Sequence, residues 1–179
     1  MKIRFFYGHI GRFNHQKNHE FLIKIVNTLK NNGYNVKLLL VGDGEKRKKI
    51  QELVQKLQLE DNIIFGGIRR DIPQILSAID ILLLPSFYEG MPNVVIEAQA
   101  VGTKCFISDT ITKEANITGL VKYLSIERDE FEWRDNIINE YKYERVDEKE
   151  KIEKNKYDIN TTAKQFIRLC YKESNTNDN

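Results

Sequence analysis

Two cations and two carboxylates in this chain have the types and spacing to act on a phosphorylated, hydroxyl-rich ligand. Arg12 and Lys17 stand in Gly8-His9-Ile10-Gly11-Arg12-Phe13-Asn14-His15-Gln16-Lys17-Asn18, just ahead of an apolar pattern of helical period. A guanidinium, an ammonium and the positive end of a helix dipole can together hold a diphosphate and stabilise its charge as a leaving group. By themselves the two cations would serve equally well as solvated charges. Glu89 and Glu97 stand eight positions apart in Ser86-Phe87-Tyr88-Glu89-Gly90-Met91-Pro92-Asn93-Val94-Val95-Ile96-Glu97-Ala98, the first in a loop and the second inside the helix that follows. Sugar hydroxyls donate well to carboxylates, so two separated acids can grip two separate rings. Gly90 would let backbone approach a ligand closely, and the N–H groups at the helix start could meet a phosphate.

Other residues invite less. His9, His15 and His19 match no metal-ligand spacing and are expected to be solvated or to sit at a helix start. Phe87 and Tyr88 read as packing residues, and Gly42-Asp43-Gly44 reads as a chain reversal with a helix cap. Cys105 and Cys170, far apart, are expected to be free thiols.

The elements that must position these residues alternate between short apolar runs and amphipathic stretches, as in a parallel sheet covered on both faces. Strands are expected at Arg4 to Ile10, Val36 to Val41, Asn62 to Phe65, Ile79 to Leu84, Lys104 to Ser108 and Val121 to Leu124. Phe21, Leu22, Ile25, Val26 and Leu29 mark a first helix that Asn32-Gly33 ends. Ile50, Leu53, Val54 and Leu57 mark a second, Asp71 to Ala78 a short third, and Pro92 the first position of a fourth that Gly102 ends. The expected fold is therefore α/β: a Rossmann-like, doubly wound, mostly parallel six-stranded sheet with extra C-terminal helices. Phe131, Ile137, Ile138 and Tyr141 would form one covering face, and Ala163, Phe166, Ile167 and Leu169 another. The Lys/Glu run from Glu144 to Lys156 reads as a solvated helix face. Residues 1–173 are expected to be one domain and 174–179 a disordered tail.

Bulk properties narrow the class. The 179 residues are 41% hydrophobic and 30% charged with a formal charge of +2, which argues against a disordered chain and against a nucleic-acid footprint. The longest apolar run, Ile79 to Pro85, is far shorter than the ~20 residues of a membrane span, and no secretory signal is visible. A cytoplasmic location is the expectation.

Taken in order, Gly11-Arg12-x4-Lys17-Asn18, Val41-Gly42-Asp43-Gly44, Phe65-x-Gly67 and Glu89-Gly90-Met91-Pro92 with Glu97-Ala98 resemble the donor-binding C-terminal domain of family 4 (group 1) GT-B glycosyltransferases. The resemblance runs from about Tyr7 to Ser108 and is close to bacterial capsule and exopolysaccharide enzymes; the acid pair matches the family's E-x7-E signature. It implies a retaining, metal-independent transfer of a hexosyl group from a nucleotide diphosphate sugar, UDP-linked as a first choice, to a glycan or lipid-linked acceptor. Arg12 and Lys17 would hold the diphosphate, Glu97 the ribose and Glu89 the transferred sugar. Gly90, Met91 and Asn93 would add contacts, and backbone around Gly67 and Ile68 would receive the base. Such an enzyme has two domains, so the chain is expected to lack an N-terminal acceptor domain, to be inactive alone, and to meet the inner face of a membrane only through that half. A nucleotide-sugar epimerase or phosphorylase and a non-catalytic nucleotide-binding module remain alternatives. A double-displacement glycosidase would use two carboxylates but has no need of a phosphate clamp.

Overall fold

The computed structural model describes residues 4–140 and 142–155. Its strands are β1 (Arg4–Ile10), β2 (Asn35–Val41), β3 (Ile63–Gly67), β4 (Ile81–Leu84), β5 (Lys104–Ser108) and β6 (Val121–Leu124), and its helices α1 (His19–Asn31), α2 (Arg47–Lys56), α3 (Ile72–Ala78), α4 (Asn93–Ala100), α5 (Glu130–Glu140) and α6 (Lys149–Lys154). The six strands form one sheet in the order β3-β2-β1-β4-β5-β6, and every adjacent pair is parallel.

Burial on both faces explains why several strands are continuous apolar runs. Along β4, Ile81 and Leu83 join a core with α1, α2 and α5, while Leu82 and Leu84 join a second core with α3 and α4. The order reverses between β1 and β4, where an open doubly wound sheet has its binding crevice. The two strands pair only at Tyr7↔Ile81 and Gly8↔Leu82, although β1 keeps pairing with β2 as far as Ile10↔Val41. Past Gly8 and Leu82 they part, and the loops carrying Arg12, Lys17 and Glu89 begin at that parting.

Some expected elements shift for identifiable reasons. The fourth strand begins at Ile81 because Ile79 ends α3, and Asp80 meets β1 through both its amide and its carboxylate, which bind Phe6 O and Phe6 N at 2.7 and 2.8 Å. Pro92 precedes α4 and caps it by accepting from Val95 N at 2.9 Å. In α5, Ile137 is buried and Ile138 packs against the same core, as expected, but the largest contact is Trp133, fully buried against Phe21 with its indole donating to Ser125 O at 2.8 Å, whereas Phe131 is exposed. Among the described residues of the Lys/Glu run, only Lys149–Lys154 is helical. Ahead of it, Tyr143 donates to Asp80 O at 2.9 Å and Arg145 to the carbonyls of Ser77 and Ile79, so this charged segment straps the ends of α3 and β4. Tyr141, the 163–169 packing face, Cys170 and the 174–179 tail lie outside the described residues.

Candidate functional site

The loops after β1, β2 and β3 are bound to one another through backbone. Gly11 N donates to Val41 O at 2.9 Å, Phe13 N to Asp43 O at 3.0 Å, Lys46 N to Phe13 O at 2.9 Å, and Gly42 N to Gly67 O at 2.8 Å. Gly42 and Gly44 make this approach possible. A Cβ on Gly42 would stand 2.1 Å from Gly11 O and one on Gly44 2.5 Å from Phe13 O, at φ of 133° and 157°. The turn is thus a close backbone contact, and Asp43 does not cap α2: its carboxylate accepts from Gly44 N and pairs with Arg47. Gly42→Ala should cost about 2–3 kcal/mol in a urea melt, because the obstructing atom is backbone and the dihedral is strained. At Gly90 a Cβ meets nothing within 4 Å, so Gly90→Ala should stay within about 0.5 kcal/mol of the parent.

The loops after β1 and β4 are joined by side chains. Lys17 Nζ lies 2.5 Å from Glu89 Oε1, with the two side chains only 16% and 9% exposed. Gln16 Nε2 donates to Tyr88 O at 2.9 Å and to Glu89 Oε2 at 3.2 Å, and Gln16 O accepts from Phe87 N at 2.9 Å. Arg12 stands apart: its guanidinium is 72% exposed and 3.5 Å from Glu45. Lys17 and Glu89 are therefore in direct contact, whereas Arg12 and Lys17 each engage a different carboxylate.

Glu97 projects from α4 with no hydrogen bond or ion pair among the described residues, and partial desolvation raises its carboxyl above the usual range. Its helix is pinned by Gln99. That buried amide donates to Val95 O and Ala115 O and accepts from the backbone of Ile117 and Thr118. Asn93 is exposed at the first position of α4, and Met91 packs partly against the second core. Gly67 has φ 64°, and beside it Ile68 is 80% exposed, leaving an uncovered apolar surface at the β3 end of the row.

The histidines divide. His15 is exposed and stacks on Phe87, with ring centroids 4.7 Å apart. His9 and His19 are buried, contrary to the expectation of solvated rings, although His19 does open α1. His9 fills the parting of the strands, its Nδ1 2.9 Å from Leu83 O; a carbonyl only accepts, so Nδ1 carries the proton. His19 packs edge-on against His9 and stacks on Phe13. Cys105 is a buried free thiol whose pKa burial raises. Among the described residues no group of three or more His, Cys, Asp or Glu is placed to hold a metal ion, and no helix is long and apolar enough to cross a membrane.

Sequence reasoning missed Gln16 and Gln99. An amide has no signature of its own, and only the proximity of Gln16 to Lys17 could have suggested it.

Comparison with known proteins agrees with this fold. The chain is 38% identical over 135 residues to EpsF of Bacillus subtilis, by name a glycosyltransferase; the match covers 75% of this chain and 35% of EpsF. The chain thus spans about a third of the length of that relative. The crystal structure of HepE from Anabaena in complex with UDP-glucose superposes with a TM-score of 0.65 at 25% identity, covering 76% of this chain and 38% of HepE. The C-terminal domain of the group 1 glycosyltransferase LpcC from Francisella tularensis has the same fold, with a TM-score of 0.65 at 20% identity over 87% of each chain. The family model "Glycosyl transferases group 1" matches residues 3–158, and the chain belongs to that family.

Proposed function

We propose that this chain is the donor-binding half of a retaining glycosyltransferase. It takes a UDP-hexose or UDP-N-acetylhexosamine and delivers the sugar to a glycan or lipid-linked acceptor in polysaccharide biosynthesis. The observation that carries this reading is the meeting of Lys17 and Glu89 where β1 and β4 part, a cation and an acid on one spot, as a site that binds a phosphate and a sugar side by side requires. Arg12 lies five residues from Lys17 on the same loop, and Glu97, unpartnered among the described residues, is the carboxylate that meets the ribose hydroxyls in this reading. HepE, which shares the fold, was solved with UDP-glucose, and this supports uridine as the base.

In the reaction, the bond from the anomeric carbon to the phosphate oxygen breaks and the departing diphosphate keeps the electron pair. Arg12 and Lys17 stabilise that charge. The acceptor hydroxyl bonds to the same face of the anomeric carbon and passes its proton to the departing phosphate oxygen, giving UDP and a glycoside of retained configuration. Glu89 orients the sugar and offsets its developing positive charge. Gly90, Met91 and Asn93 line the phosphate and sugar, and Gly67 and Ile68 meet the base. An N-terminal acceptor domain completes the cleft and carries any peripheral contact with the membrane's inner face.

Calorimetry on this chain tests the donor role. UDP should bind at least about tenfold more tightly than uridine, since charged hydrogen bonds to phosphate contribute about 1.5–3 kcal/mol each. Equal affinities would remove Arg12 and Lys17 from the diphosphate.

A further inference from the structure

We infer that Gln16 is a positioning residue, which keeps the Glu89 carboxylate aimed at the sugar when Lys17 turns to the diphosphate. The inference rests on the nucleotide-sugar reading above. Both oxygens of Glu89 are occupied, Oε1 by Lys17 Nζ at 2.5 Å and Oε2 by Gln16 Nε2 at 3.2 Å. The two donors are neighbours in sequence but differ in how they are held. Gln16 is tied to three consecutive residues: its carbonyl to Phe87 N, and its amide to Tyr88 O and to Glu89. The Lys17 ammonium ends a flexible four-carbon stem, and its one contact with that loop is Glu89.

An arriving diphosphate attracts the two donors unequally. It draws the ammonium, a mobile full charge, far more strongly than a neutral amide already fixed to backbone. Lys17 leaves Oε1, which becomes free to accept from a sugar hydroxyl. Gln16 stays on Oε2, so the carboxylate loses its counter-charge without losing its orientation. With no donor at position 16, Glu89 would follow Lys17 or turn toward solvent, and the sugar would lose its acceptor while the diphosphate kept its cations.

Gln16→Met keeps the length of the side chain and removes the donor; Gln16→Glu keeps the shape and sets an acceptor against an acceptor. Affinities for UDP and for UDP-glucose or UDP-N-acetylglucosamine, whichever binds the parent more tightly, are measured by calorimetry alongside melting temperatures. In Gln16→Met the UDP affinity should stay within about twofold of the parent, while the ratio of sugar-nucleotide to UDP dissociation constants rises roughly tenfold. Gln16→Glu should move that ratio at least as far. An unchanged ratio in folded variants, or equal weakening of both ligands, would overturn the role of Gln16. A parent chain that binds neither ligand would overturn the nucleotide-sugar reading and this inference with it.

Discussion

Acidification from about pH 7.5 to about pH 5 should remove about 4 kcal/mol of folding stability, most of it through two histidines. His9 is fully buried and its pKa is lowered to about 4, by burial first, against the opposing effect of the Leu83 hydrogen bond, and then by the charge of Lys17. His19 is lowered to about 2 by burial, then by His9, Lys17 and Lys46. In the unfolded chain both rings titrate near the ordinary 6.5. Above that value both states are neutral and stability is on its plateau. As the pH falls from 6.5 toward 4 the unfolded chain takes up protons that the folded chain refuses, so the equilibrium moves toward unfolding. At about pH 5 each ring contributes about 2 kcal/mol of this loss. The carboxyls of Glu20 and Glu140, lowered by Lys49 and by Lys122 with Lys104, also withdraw stability in acid, but mainly below their ordinary value of 4.5. The interval between 6.5 and 5 therefore belongs to the histidines. Urea melts at the two pH values measure the effect, and His19→Phe, whose ring can keep the stack on Phe13, should lose about half of it. Equal midpoints for the parent at both pH values would mean that the rings are not held neutral.

The same two residues show where sequence reasoning reached its limit. Val36 to Val41 and the β4 region were legible because a strand covered on both faces has no polar alternation to confuse it. The loops carrying Arg12, Lys17 and Glu89, and the helix carrying Glu97, were legible because glycine, charge and a following helical period coincide there. The burial of His9 was not, since it depends on two strands parting after Gly8 and Leu82, which no local pattern records. Gly42 and Gly44 give the same turn signal whether the chain merely reverses or another backbone passes at close range. Tyr143 and Arg145 sit in a charged segment that looks solvated until the carbonyls of Ser77, Ile79 and Asp80 are placed beneath it. The Lys17–Glu89 contact, between residues 72 positions apart, became visible only in three dimensions. It also alters what substitution of Glu89 should do.

Glu89→Gln should move binding and turnover in opposite directions. A diphosphate that recruits Lys17 must first separate its ammonium from Glu89 Oε1, a contact of 2.5 Å between side chains that are 16% and 9% exposed. At that degree of burial the pair is little screened, and breaking it opposes ligand binding. Glutamine leaves Lys17 without a carboxylate partner and removes a negative charge facing the incoming phosphates. UDP should therefore bind the variant about three- to tenfold more tightly, up to about 1.4 kcal/mol. Transfer should suffer. As the anomeric carbon parts from phosphate the sugar gains positive charge, and a neutral amide stabilises it less than a carboxylate does. Loss of one such preorganised electrostatic partner typically costs about 10²–10³ in turnover, and that is the expected drop in a protein that includes the acceptor domain. Calorimetry with UDP on this chain and transfer rates in the two-domain protein supply the two halves of the test. If the variant binds UDP no more tightly than the parent, Lys17 is not shared between carboxylate and diphosphate. If it transfers at the parent rate, Glu89 does not face the sugar, and the placement of the reacting bond over the β1–β4 parting is wrong.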